Sequence, residues 1–85
     1  PMFEYYFTFR AVTPAQSARH VLHTGGVAAV LGRAPRQLSM QGCGYVLRVA
    51  PQAGLRALGL LRTAHMPFVH MVRVYQSGAV EEVAV

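Results

Sequence analysis

The only cysteine of the chain, Cys43, lies between two glycines, Gly42 and Gly44. A thiol that acts as a nucleophile or carrier must be reachable by its partner and must form the thiolate readily. Neighbouring glycines allow unusual backbone angles and leave room around the sulfur. A small cysteine that is buried and inert in a turn would have the same neighbours. The spacing therefore makes Cys43 a candidate site without deciding between these two roles.

Three arginines flank this cysteine in the sequence: Arg33, Arg36 and Arg48. Positive charge near a thiol favours its ionised form, and backbone amides around glycines can add an anion-binding concavity. The chain has no second cysteine that could resolve a disulfide on Cys43. A redox cycle between two cysteines of one chain is therefore excluded, which leaves exchange between proteins or between subunits.

The first half of the chain has the pattern strand, helix, strand. Every second residue from Phe3 to Phe9 is aromatic, which is typical of a strand with one face in the core. Thr13-Pro14 resembles the start of a helix, and Gly25-Gly26 resembles its end. The short apolar run 27–31 then predicts a second strand.

The second half of the chain has the same order of elements. The run 45–49 is β-branched and aromatic, which predicts a third strand. Pro51 opens a leucine-rich helix that ends near His65, because Pro67 cannot continue it. Residues 68–75 predict a fourth strand.

Two strand–helix–strand units predict an α+β domain with the ferredoxin-like split βαβ fold (βαββαβ). Its four-stranded antiparallel sheet would carry both helices on one face, with the first and third strands adjacent at the centre. We expect a single domain over residues 2–76 and a C-terminal tail over residues 77–85. The other sheet face would be bare, so this open face or an edge strand offers a surface for a homodimer.

Composition limits the class of protein. Hydrophobic residues make up 53% of the chain and charged residues 13%, which indicates a folded domain rather than a disordered segment. No apolar run approaches the ~18 residues of a membrane span, so we expect no membrane contact and a cytoplasmic location. The net charge of +5 comes from arginines spread singly along the chain, which argues against a nucleic-acid partner.

The chain has few side chains that could perform acid–base catalysis or bind a metal ion. The only acidic side chains are Glu4, Glu81 and Glu82, at the two ends of the chain, so we expect neither a paired-carboxylate hydrolase nor a catalytic triad. His20 and His23 lie one helical turn apart, but a metal site needs further ligands. We therefore predict no metal and no cofactor, and copper or zinc binding is the lesser alternative.

The sequence around Cys43 resembles that of a known family. Pro35-Arg36-x-Leu38-Ser39, followed by Cys43-Gly44 and Leu47-Arg48-Val49, is similar to the selenium/sulfur carrier protein-like family, and the similarity covers most of the chain. The resemblance implies that Cys43 carries sulfur or selenium between a donor protein and an acceptor protein. The predicted site residues are Cys43 as the carrier thiol, Gly42, Gly44, Arg36, Arg48 and Ser39.

We therefore expect a carrier protein rather than a stand-alone enzyme. An exposed thiolate on Cys43 would accept a sulfur or selenium atom and hold it as a persulfide. It would then pass the atom on by the displacement chemistry of thiol–disulfide exchange. The alternative is an interaction module without chemistry, which dimerises through the open sheet face.

Overall fold

The computed structural model describes residues 2–85, which form five β-strands and three α-helices. In chain order the elements are β1 (Phe3–Phe9), α1 (Val12–Thr24), β2 (Val30–Arg33), α2 (Arg36–Ser39), β3 (Tyr45–Val49), α3 (Gly54–Thr63), β4 (Met71–Tyr75) and β5 (Val80–Glu82). A single 3-10 turn, Pro51–Ala53, leads into α3. No helix within residues 2–85 has both the length and the apolar character needed to cross a membrane.

All five strands form one antiparallel sheet in the order β2-β3-β1-β4-β5. The first and third strands pair as predicted, with Phe7 on β1 opposite Leu47 on β3. The sheet has five strands where the sequence predicted four, because β5 lies in the segment expected to be a tail and pairs with β4. A strand of three exposed residues carries no hydrophobic alternation. Its structure is therefore decided by the sheet edge beside it.

One face of the sheet holds the main core. Alternate residues of β1 contribute to it, and α1 and α3 both pack against it, so the two predicted helices lie on the same face. The largest fully buried side chains of this core are Phe7, Phe9, Leu22, Leu47, Leu61 and Met71. Buried alanines on α1 and α3 let both helices approach the sheet closely.

α1 and β2 differ from the prediction at their starts. α1 begins at Val12 rather than after Thr13, and no side chain caps it. It ends before Gly25 and Gly26 as expected, and Gly26 has the left-handed backbone (φ 85°) that helix ends favour. β2 comprises residues 30–33 rather than 27–31, because β3 pairs with this later stretch. Val27, the first residue of the apolar run, is buried in the main core instead.

The second sheet face is partly covered, which corrects the expectation of a bare face. The sequence did not predict α2, which packs Leu38 against Val46 and Val72. Tyr6 and Val74 lie at the edge of this small cluster. Because a helix of one turn is not stable by itself, the contact of Leu38 is what holds α2 on the sheet.

Polar pairs fix β5 to the sheet edge. Arg73 Nη1 lies 3.0 Å from Glu81 Oε1, and the Tyr75 hydroxyl donates to the same oxygen over 3.0 Å. His70 Nδ1 lies 2.8 Å from Glu82 Oε2. The hydrogen bond to Glu81 raises the pKa of the Tyr75 hydroxyl above its usual value, because it stabilises the protonated phenol. Two of the three glutamates of the chain are therefore paired within it.

Candidate functional site

Cys43 lies between α2 and β3, at the end of the sheet where α1 begins. Phe9, the last residue of β1, lies opposite Tyr45, the first residue of β3. The residues before β3 therefore run beside the start of α1. Cys43 is buried, with 1% of its surface exposed. The expectation of an exposed thiol is wrong for this conformation.

The burial of Cys43 follows from the closure of the segment between β2 and β3. The Ala34 N–H donates to the Gly44 carbonyl over 3.0 Å, which joins the two ends of the segment. We call residues 35–43 the cysteine loop. The backbone hydrogen bonds found for these residues in the described part of the chain stay within the loop. The cysteine loop is therefore a local unit with few ties to the rest of the protein.

Leu38 is the side chain that ties the cysteine loop to the sheet. It is 5% exposed and packs against Val46 of β3 and Val72 of β4. Met40 and Gln41, which follow α2, are exposed. Opening of the loop therefore exposes Leu38 and Cys43 and breaks the 3.5 Å hydrogen bond that the Gln37 side-chain amide donates to the Gly78 carbonyl.

Gly42 occupies a backbone conformation that other residues rarely adopt, with φ +87°. A Cβ at this position would also lie 2.8 Å from Nη1 of Arg10. The guanidinium group of Arg10 therefore lies beside the residue that precedes Cys43. Gly44 has neither feature, since a Cβ there would meet no atom within 4 Å. The conformational freedom predicted for both glycines is used at Gly42.

The arginines predicted to assist the thiol lie at unequal distances from it. Arg33 ends β2 opposite Tyr45, with its guanidinium 5.2 Å from the centroid of that ring, at the same end of the sheet as Cys43. Arg48 lies further along β3, roughly 16 Å from Cys43 at ~3.3 Å per strand residue. It lies opposite Tyr6 on the second sheet face. The structure therefore groups Arg10 and Arg33 with Cys43 and places Arg48 elsewhere.

Ser39 and Arg36 interact with each other rather than with the thiol. The Ser39 hydroxyl donates to the Arg36 carbonyl over 3.0 Å. Both residues are exposed on α2, and the Arg36 guanidinium has no ionic partner within residues 2–85. In the closed conformation, this hydrogen bond stabilises the single turn of α2.

The histidines of α1 lie on its exposed side. His20 and His23 line a shallow groove of about 270 Å³ together with Gln16 and Arg19. Within residues 2–85, no group of three or more His, Cys, Asp or Glu side chains is arranged to hold a metal ion. The two histidines therefore gain no third ligand of these types from the described part of the chain.

A protein-family model described as "Putative Se/S carrier protein-like" matches residues 4–73. No curated protein and no solved structure matches the chain significantly. The family match runs from β1 into β4 and includes the whole cysteine loop, which confirms the resemblance inferred from the sequence. Because the match covers most of its length and its one cysteine, the chain belongs to the Se/S carrier protein-like family.

Proposed function

We propose that this protein carries sulfur or selenium on the Cys43 thiol and passes it from a donor protein to an acceptor protein. The observation that carries the proposal is the family match, since the matched residues include the only thiol of the chain. We place the protein in the cytoplasm, where reducing conditions keep such a thiol free.

Each transfer is a displacement at sulfur or selenium without net oxidation. The Cys43 thiolate attacks the outer atom of a donor persulfide, a bond from Cys43 to that atom forms, and the donor leaves as a thiolate. The proton stays on the outer atom. In delivery, a nucleophile of the acceptor takes the outer atom and Cys43 leaves as the thiolate. One cysteine is sufficient for both steps.

Both steps require the cysteine loop to open, because Cys43 is 1% exposed. Opening moves Leu38 away from Val46 and Val72, and the exposure of one leucine costs about 1.5–3 kcal/mol. Exposure of Cys43 and loss of the hydrogen bond from the Gln37 side-chain amide to the Gly78 carbonyl add to this cost, so the open loop is a minor population on which transfer depends.

Arg10 places positive charge at the closed cysteine loop, since its guanidinium lies beside Gly42. Arg33 lies at the same end of the sheet. Arg36 is exposed on α2 and moves with the loop, so we assign it to contact with donor and acceptor proteins.

Sulfur loading tests the proposal. The protein is incubated with a cysteine desulfurase and cysteine, and its intact mass is measured. We expect a gain of ~32 Da for one sulfur atom, or ~79 Da when a selenium donor replaces it. Cys43→Ser is the matched control and keeps its unloaded mass. A wild-type protein that gains no mass under conditions that load a known carrier would contradict the proposal.

A further inference from the structure

Beside α2, the second sheet face presents a surface that crosses all five strands and borders α2 at Tyr6, Val74 and Val80. Strand register places one row of side chains across β2, β3 and β1, and a second row across β1, β4 and β5. We call this surface the open face, and its residues are Val30, Arg48, Tyr6, Glu4, Val74 and Val80.

Much of the open face is apolar and exposed. Val30 is 51% exposed, and Val80 is 36% exposed. Tyr6 and Val74 are half-buried and line a groove of about 520 Å³, with exposed Met2 at its edge. Antiparallel sheets can present one face to water, but that face is then mostly polar. An exposed apolar surface on a sheet face indicates a binding surface.

The open face also carries one acidic and one basic residue without ionic partners. The ion pairs within residues 2–85 are Arg73–Glu81 and His70–Glu82. Glu4 and Arg48 therefore have no ionic partner in this part of the chain, although both lie on the open face beside Tyr6. Since the other two glutamates are paired, Glu4 is the one acidic side chain without an ionic partner within residues 2–85.

We propose that the open face binds the open face of a second copy of this chain. In a two-fold dimer the same surface serves both copies. A two-fold axis that runs between Glu4 and Arg48 places Glu4 of each copy on Arg48 of the other, with both Tyr6 side chains near the axis. The chain has a net charge of +5, so its copies repel one another elsewhere. The open face is the surface on which opposite charges meet instead.

The size of the open face predicts a weak dimer. Five strands at a spacing of about 4.8 Å span roughly 20 Å, and α2 covers part of the strand length. Such a surface buries less than the ~1,200 Å² at which stable complexes begin. We therefore expect a dissociation constant of micromolar order or weaker, on the order of 10⁻⁵ M.

Charge reversal tests the dimer. Sedimentation is measured with reductant present, at protein concentrations from about 1 μM to about 1 mM, which bracket the expected constant. Wild type should shift from monomer to dimer over this range. Glu4→Arg gives the open face two basic groups, and Arg48→Glu gives it two acidic groups. Because like charges facing each other oppose association, each variant alone should associate at least about tenfold more weakly.

The decisive sample is an equimolar mixture of the Glu4→Arg and Arg48→Glu variants. Every charge contact across the two-fold axis is again between opposite signs, so the mixture should associate about as tightly as wild type. Arg62→Glu, a reversal of an exposed charge on α3, should leave dimerisation unchanged. Cys43→Ser should also dimerise, since the contact involves no thiol.

Three results would overturn the proposal. Wild type could remain monomeric up to about 1 mM, the dimer could be insensitive to both single reversals, or the mixture could associate no better than either variant alone. None of these results bears on sulfur loading of Cys43, which is measured separately.

Discussion

At the scale of single residues, the environment of Cys43 depends on groups that are distant in sequence. Proximity along the chain singled out Arg33, Arg36 and Arg48 as its basic neighbours, and of these Arg33 lies at the same end of the sheet as Cys43. Strand pairing also places Arg10 beside Gly42. A signal for Arg10 was present in the sequence, because it is the charged residue directly after an alternating aromatic strand. Only the pairing of β1 with β3 shows that this strand end lies next to the cysteine.

Gly54, the first residue of α3, gives a prediction for stability. A Cβ at Gly54 would overlap the Tyr5 ring, which is fixed in the main core. Gly54→Ala should therefore lower the free energy of unfolding by about 1–3 kcal/mol, the usual cost of overpacking. Urea unfolding followed by circular dichroism measures the change.

Gly59→Ala is the matched control for Gly54→Ala. Gly59 is exposed on the same helix, and a Cβ there would meet no atom within 4 Å. Alanine favours a helix interior over glycine, so this variant should be about 0.5–1 kcal/mol more stable than wild type. Equal stability of the two alanine variants would mean that the Tyr5 ring moves aside freely.

At the scale of elements, α2 controls how often the Cys43 thiol is exposed to solvent. Leu38→Ala removes the side chain that packs α2 against Val46 and Val72. We expect alkylation of Cys43 in the folded protein to become about 10–100 times faster, since the lost burial favours the open loop. The rate is measured with an alkylating reagent in excess and followed by intact mass. Leu55→Ala is the control, because Leu55 is 73% exposed and its truncation should leave the rate unchanged.

Comparison with Gly54→Ala separates local opening from global unfolding. Gly54 lies on α3 in the main core, on the opposite sheet face from α2. If Cys43 reacts only through complete unfolding, Gly54→Ala and Leu38→Ala should accelerate alkylation in proportion to the stability that each one loses. Acceleration by Leu38→Ala alone supports an opening cysteine loop. Proportional acceleration by both variants would rule such an opening out.

At the scale of the whole molecule, the two faces of the sheet have different roles. The main core lies between the sheet and the helices α1 and α3. The second face carries both α2 and the open face, which adjoin at Tyr6 and Val74. Loop opening and dimerisation therefore use neighbouring parts of the same face.

The contribution of β5 to the whole fold gives a further prediction. All three residues of β5 are exposed and its ion pairs lie at the surface, where such pairs add little stability, while the half-buried Val83 after β5 packs against the main core. A chain that ends at Gly78 should therefore unfold cooperatively and be less stable by about 2 kcal/mol, well within the roughly 5–15 kcal/mol of a typical domain. Thermal unfolding of this variant measures the change. Loss of cooperative unfolding would show that the domain extends beyond residue 76.

Local periodicity determined several features of this protein from the sequence alone. The aromatic alternation of β1 predicts which of its side chains enter the core, and the Gly25-Gly26 pair predicts the end of α1. These features follow from neighbouring residues, whose burial and backbone angles repeat with the period of a strand or helix. The residues around Cys43 were likewise sufficient to recognise the family.

The tertiary structure decided the features that depend on contacts between distant segments. These are the fifth strand, the covering of one sheet face by α2, the burial of Cys43 and the approach of Arg10 to Gly42. No repeating pattern of residues in the sequence signals these features. Each depends instead on the register in which strands far apart along the chain pair. The sequence therefore located the thiol, and the fold determined that it is covered.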